Sequence, residues 1–126
     1  MNISKFLIAT SLCVATFSAM GQGQQMRDKA YQETNRVYRS GGMVGLTENS
    51  DKCHRTSKQP VYCIYLDIMA NRLDAAMVDP IGMPRNPYFE ARPIALRIDS
   101  AFNKAKIKQS QRPALFQRIV AEVDGM

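Results

Sequence analysis

The stretch from Val61 to Asp79 constrains this chain more than any other. Positions 62, 66, 69, 73, 76 and 77 are Tyr, Leu, Met, Leu, Ala and Met, which is helical spacing. Val61, Ile64, Tyr65 and Ile68 then widen the apolar face well beyond one stripe. A helix apolar over so much of its circumference has to be surrounded by protein, so it is expected at the centre of the fold. Asp79-Pro80 ends it, because the proline ring disfavours helical geometry in the residue before it. No segment alternates polar and apolar residues as a half-buried strand does, so the surroundings must be helical as well.

The flanking segments supply them. From Gln24 to Ser40, Met26, Ala30, Thr34, Val37 and Tyr38 share one face, opposite Arg27, Asp28, Glu33 and Arg36, and Gly41-Gly42 stops that helix. A short second helix over Met43 to Thr56 turns Met43, Leu46 and Cys53 inward before Gln59-Pro60. Residues 80–89 hold three prolines and a glycine and form a stiff loop. Pro93 opens a further helix to about Lys108, with Ile94, Ile98, Ala101, Phe102 and Ala105 inward and Arg97, Lys104 and Lys108 outward. Ser110 or Arg112 with Pro113 opens the last, whose Phe116, Ile119, Val120 and Val123 repeat at three and four before Gly125. The expected fold is a small all-α bundle of four to five helices, with Met43, Met69 and Met77 as core filler.

The N-terminus reads as an address. Lys5 precedes an apolar run from Phe6 to Phe17, too short to span a bilayer, and Ala19-Met20-Gly21 offers small residues at the positions signal peptidase selects. Residues 1–21 are therefore expected to be cleaved, leaving 22–126 as one domain in the periplasm or secreted, with no stable membrane anchor. Leu12 before Cys13 is too large for a lipoprotein signal. Cys13 leaves with the leader, and in an oxidising compartment the remaining Cys53 and Cys63 are expected to form one intramolecular disulfide.

Candidate chemistry is sparse. The chain of 126 residues is 45% hydrophobic and 22% charged, an ordinary globular balance, and has a single histidine, which excludes histidine-rich catalysis. Cys53-His54 suggests a thiol beside a base, but an oxidised cysteine offers no thiolate. Cys53, His54, Cys63 and Asp67 do not follow a closed structural zinc spacing, and no haem-attachment pattern is present. Asp67 and Asp74 are seven apart on one side of the central helix, a rise of about 10.5 Å, slightly beyond the separation of paired glycosidase carboxylates. They read instead as a solvated acidic stripe paired with Arg72 or the basic helix. No phosphate loop, nucleophile elbow or metalloprotease motif occurs. The expectation is a non-enzyme without catalytic residues, metal or cofactor.

Binding is the alternative to catalysis. The formal charge of +6 is densest at Lys104, Lys106, Lys108 and Arg112, which alternate round a helix without interleaved aromatics; this argues against nucleic acid and for a solvated face or a protein partner. In the Pro-rich loop, Tyr88 and Phe89 are flanked by Arg85 and Arg92, the residue types of which binding hot spots are made. Proline stiffening lowers the entropy lost on docking, so these four residues are the expected partner-binding set, with capping of the bundle's own core by Phe89 and Met83 as the alternative. A second function class is an envelope structural or accessory component that assembles through the basic helix, and a homodimer is compatible with either.

The layout of a leader, a first helix, Cys53, and then Cys63-Ile64-Tyr65 opening a central helix with Asp67 and Asp74 further along resembles the small periplasmic immunity proteins that neutralise type VI secretion amidase effectors. The cysteine pair and Tyr65 carry that resemblance as residues; the chain lacks the further cysteine that such proteins often have near the C-terminus. The resemblance implies an intact disulfide, no catalysis, and inhibition of a secreted cell-wall hydrolase by a loop or helix end plugging its cleft.

Overall fold

A computed structural model describes residues 13–126, with side-chain surroundings from Gly21 onward. Of the leader expected over 1–21, residues 1–12 lie outside the described residues. Four helices follow in order: α1 (Cys13–Thr56), α2 (Pro60–Val78), α3 (Ala91–Lys104) and α4 (Arg112–Asp124), with short 3₁₀ turns at Asp79–Ile81, Pro87–Phe89 and Gln109–Gln111 and no strand among the described residues. The expected all-α bundle with one disulfide is what forms.

The two helices expected on either side of Gly41-Gly42 are the two arms of α1. Gly42, at φ 60° and ψ −153°, breaks the helical path between them. An added Cβ at Gly42 would meet no atom within 4 Å, so glycine is needed there for its dihedrals and not for space. The bend lets one helix cover α2 twice. The first arm buries Ala30, Thr34 and Val37, and the second buries Leu46 and Ser50.

Helix α2 is the axis. Pro60 occupies its first turn, where its missing N–H costs no hydrogen bond, and every residue from Tyr62 to Ala70 is buried. α1, α3 and α4 all pack on it. Burial all round forces its two phenols to find polar partners, and neighbouring helices supply them: Tyr62 donates to Glu33 of α1, and Tyr65 to Glu122 of α4 at 2.5 Å. Desolvation by burial, reinforced by the accepting carboxylates, pushes both phenols far above their ordinary range. Glu122 also comes so near Gly23 that a Cβ there would sit 2.8 Å from its Oε1, which closes α4 onto the start of α1.

Cys53, at the end of α1, is bonded to Cys63 in the first turns of α2, with Cα atoms 5.7 Å apart. The bridge spans ten positions and pins the α1–α2 turn rather than distant parts of the chain. Loop-closure entropy puts its contribution at about 2–3 kcal/mol. Reduction, or Cys53→Ser with Cys63→Ser, should lower stability by that amount in a denaturant titration. A loss under about 0.5 kcal/mol, the range of a neutral surface change, would show that helix packing alone holds the turn.

Three expectations change in three dimensions. Met77 is 49% exposed and fills no core, whereas Met69 is buried as expected. Arg97, expected on the outer side of α3, turns inward to a carboxylate. The basic run is partly spent within the fold: Lys104 donates to the His54 carbonyl at 2.5 Å, and Arg112 donates twice to the Ile107 carbonyl.

Candidate functional site

The acidic stripe expected at Asp67 and Asp74 is not solvated. Asp67 is fully buried and Asp74 nearly so, and Arg72 pairs with Asp124 instead, at 2.7 and 3.1 Å. Asp67 Oδ1 accepts from Ser50 Oγ at 2.5 Å. Its Oδ2 accepts from Arg97 Nε at 2.9 Å and lies 2.9 Å from His54 Nε2. The carboxylate therefore joins α1, α2 and α3, and a charge removed from water is matched by a guanidinium and satisfied at both oxygens.

The network reaches the α2–α3 connection through Tyr88. Its hydroxyl is 3.1 Å from Ser50 Oγ. The single serine proton goes to Asp67, so the phenol is the donor in that contact. Burial raises the Tyr88 phenol above its usual range. Arg97 stacks over the Tyr88 ring at 3.8 Å and donates to the Tyr88 carbonyl at 2.9 Å. Asp74 holds the same connection further back by accepting from the Asn86 backbone N–H at 2.7 Å, while Asn71 donates to the Phe89 carbonyl at 2.7 Å. Asn86 in turn caps the Pro87–Phe89 turn by accepting from the Tyr88 N–H. Both α2 aspartates thus brace the loop from behind.

Ser50, His54 and Asp67 are the residue types of a hydrolytic triad, but their connectivity differs. Serine and histidine each bond the carboxylate and not one another, so the histidine does not stand where a triad base takes the serine proton. The arrangement is an ion cluster that fixes geometry. Its members lie on three helices and the Pro87–Phe89 turn; the sequence brought His54 and Asp67 together only as parts of a zinc set that their spacing does not fit, and gave no sign of Ser50, Tyr88 and Arg97.

The four residues expected to contact a partner separate cleanly. Phe89 is 1% exposed and meets Tyr88 edge-on at 4.9 Å between ring centroids; it belongs to the core, which corrects its assignment to the partner surface. Tyr88 is half-buried over Arg97 and presents only part of its edge. Arg85 is exposed and forms a two-point ion pair with Asp79 at 3.0 and 2.6 Å, and the guanidinium holds the Asp79 carboxyl below its usual range. Arg92 is exposed in the first turn of α3. The loop also shows apolar side chains to solvent: Ile81 at 67%, Met83 at 57% and, at the end of α2, Met77. Hydrogen bonds from the Met83 N–H to Val78 and from the Gly82 N–H to Asp79 fold the first two back against that helix end. Gly82, at φ 67°, makes the left-handed turn that allows it.

No protein-family model, curated protein or solved structure matches this chain. Among the described residues, no helix is long and apolar enough to cross a membrane.

Proposed function

We propose that this chain is an exported, disulfide-bonded binding protein that neutralises a cell-wall-degrading enzyme by inserting the tip of its α2–α3 connection into that enzyme's cleft. The observation that supports it is an exposed apolar tip, Met77, Ile81 and Met83, on a connection whose following segment, residues 86–89, is braced by Asp74, Asn71 and Arg97. Water-exposed apolar side chains on a rigid support lose little conformational freedom when they dock, and their burial supplies the driving force. Arg85, paired with Asp79, and Arg92, at the start of α3, are exposed on the same connection and the helix it enters. The resemblance to immunity proteins of amidase effectors points to the same class of partner, and the expected leader would send the chain to the compartment where such an enzyme acts. The alternative of an envelope component built through the basic helix has less to work with, since Lys104 is already bonded to the His54 carbonyl.

The test is capture of the partner from periplasm and culture fluid with the oxidised chain, followed by inhibition of the recovered hydrolase. The double variant Ile81→Asp with Met83→Asp should bind about thirtyfold or more weakly, the scale of a hot-spot loss. Its denaturation midpoint should stay unchanged, as for other exposed positions. Unchanged inhibition by that variant, or recovery of envelope components in place of a hydrolase, would overturn the reading.

A further inference from the structure

Helices α3 and α4 are consecutive, yet each packs on α2 while scarcely touching the other. The gap between them is a groove of about 490 Å³, within the range of small-ligand clefts. Its floor and sides are apolar, with Ile68, Phe102, Phe116 and Val120 among the lining residues. Three charged side chains also line it: Arg72, Asp99 and Arg112. Arg72 is neutralised by Asp124. The other two stand in no ion pair among the described residues. Arg112, the first residue of α4, donates only to neutral acceptors, the Ile107 carbonyl and Asn103 Oδ1, and lies toward the Phe102 ring at 5.8 Å. Among the described residues, Asp99 of α3 has no ion-pair partner. The groove is thus an apolar trough with one uncompensated cation on the α4 wall and one uncompensated anion on the α3 wall.

We infer that this groove is a binding site for a short apolar peptide with free termini, its carboxylate directed to Arg112 and its ammonium to Asp99. A simple amphipathic anion matches Arg112 but is repelled by Asp99, and a simple cation has the reverse difficulty. Only a zwitterion with apolar side chains satisfies both walls and the floor. The uncapped first turn of α4 adds its partial positive charge on the carboxylate side. This site lies apart from the α2–α3 tip and does not depend on the function proposed for that tip.

The experiment is calorimetric titration of the full oxidised chain with the tripeptide Leu-Phe-Leu, its N-acetyl form and its C-terminal amide, alongside backbone amide NMR shifts. The free tripeptide should bind and shift residues of α3 and α4, and each blocked form should bind about tenfold more weakly. Asp99→Asn, an exposed position, should weaken the free tripeptide by a similar factor and abolish the penalty of N-acetylation while keeping that of amidation. Ala95→Trp, which fills the groove from an exposed position on α3, should remove binding altogether. Absence of binding at millimolar peptide, equal binding of all three peptides, tighter binding of the anionic dye 1-anilinonaphthalene-8-sulfonate with no response to Asp99→Asn, or shifts confined to residues 77–89 would each overturn the assignment.

Discussion

Replacing Asp67 by alanine is expected to destabilise the protein by about 3–5 kcal/mol, the cost of breaking a buried ion pair by removing one partner. The substitution strips the only carboxylate from the half-buried Arg97 and His54 and leaves the Ser50 proton without its acceptor. Against a typical domain stability of 5–15 kcal/mol this is a large fraction, and the variant should unfold at markedly lower denaturant. The effect should also spread. Arg97 holds the Tyr88 ring and carbonyl, so amide exchange at residues 86–90 should accelerate in Asp67→Ala under conditions where the helices remain folded. Arg97→Met, which removes the cation but retains apolar bulk, should reproduce the faster exchange. A stability loss below about 1 kcal/mol would mean the cluster is hydrated well enough in solution to behave as an ordinary surface pair.

Phe89→Ala should cost about 3–5 kcal/mol for a second, independent reason: a fully buried aromatic side chain is removed from a close-packed interior that can only partly collapse around the void. Chemical denaturation of the oxidised protein measures this directly. The instructive comparison is Met83→Ala, six positions earlier in the same connection, which should be neutral within about 0.5 kcal/mol because its side chain is 57% exposed. Equal losses at the two positions would indicate that the tip is packed in solution and would remove the exposed patch on which the binding function rests. The two large effects should not be simply additive, since Arg97 contacts both Tyr88 and the Phe89 ring.

How far the pattern of residues led depended on the kind of interaction. Helix ends were readable because proline and glycine act locally: Pro60 and Pro113 open α2 and α4, and Gly42 breaks α1, wherever the rest of the chain lies. The central place of α2 was readable because an apolar circumference has one stable surrounding. The Cys53–Cys63 disulfide followed from the expectation that Cys13 belongs to a leader, which leaves two cysteines to pair.

The candidate site was less accessible. Asp67 and Asp74 belong on a wet surface by residue type, and Arg97 by its place on α3, yet all three point inward. Each becomes tolerable in the interior only when charges and hydrogen-bonding groups from distant parts of the chain arrive at the same point, as His54, Ser50 and Asn86 do. Likewise Phe89 and Met83 are equivalent as apolar residues in one loop. Which of them enters the core depends on how the Pro87–Phe89 turn is held by Asn71 and Arg97. Local chemistry along the chain therefore settled the helices, their order and the staple between the first two. The direction in which charged and loop side chains face was decided by the assembled bundle, because the desolvation cost of a buried charge is offset only by partners that sequence proximity does not provide.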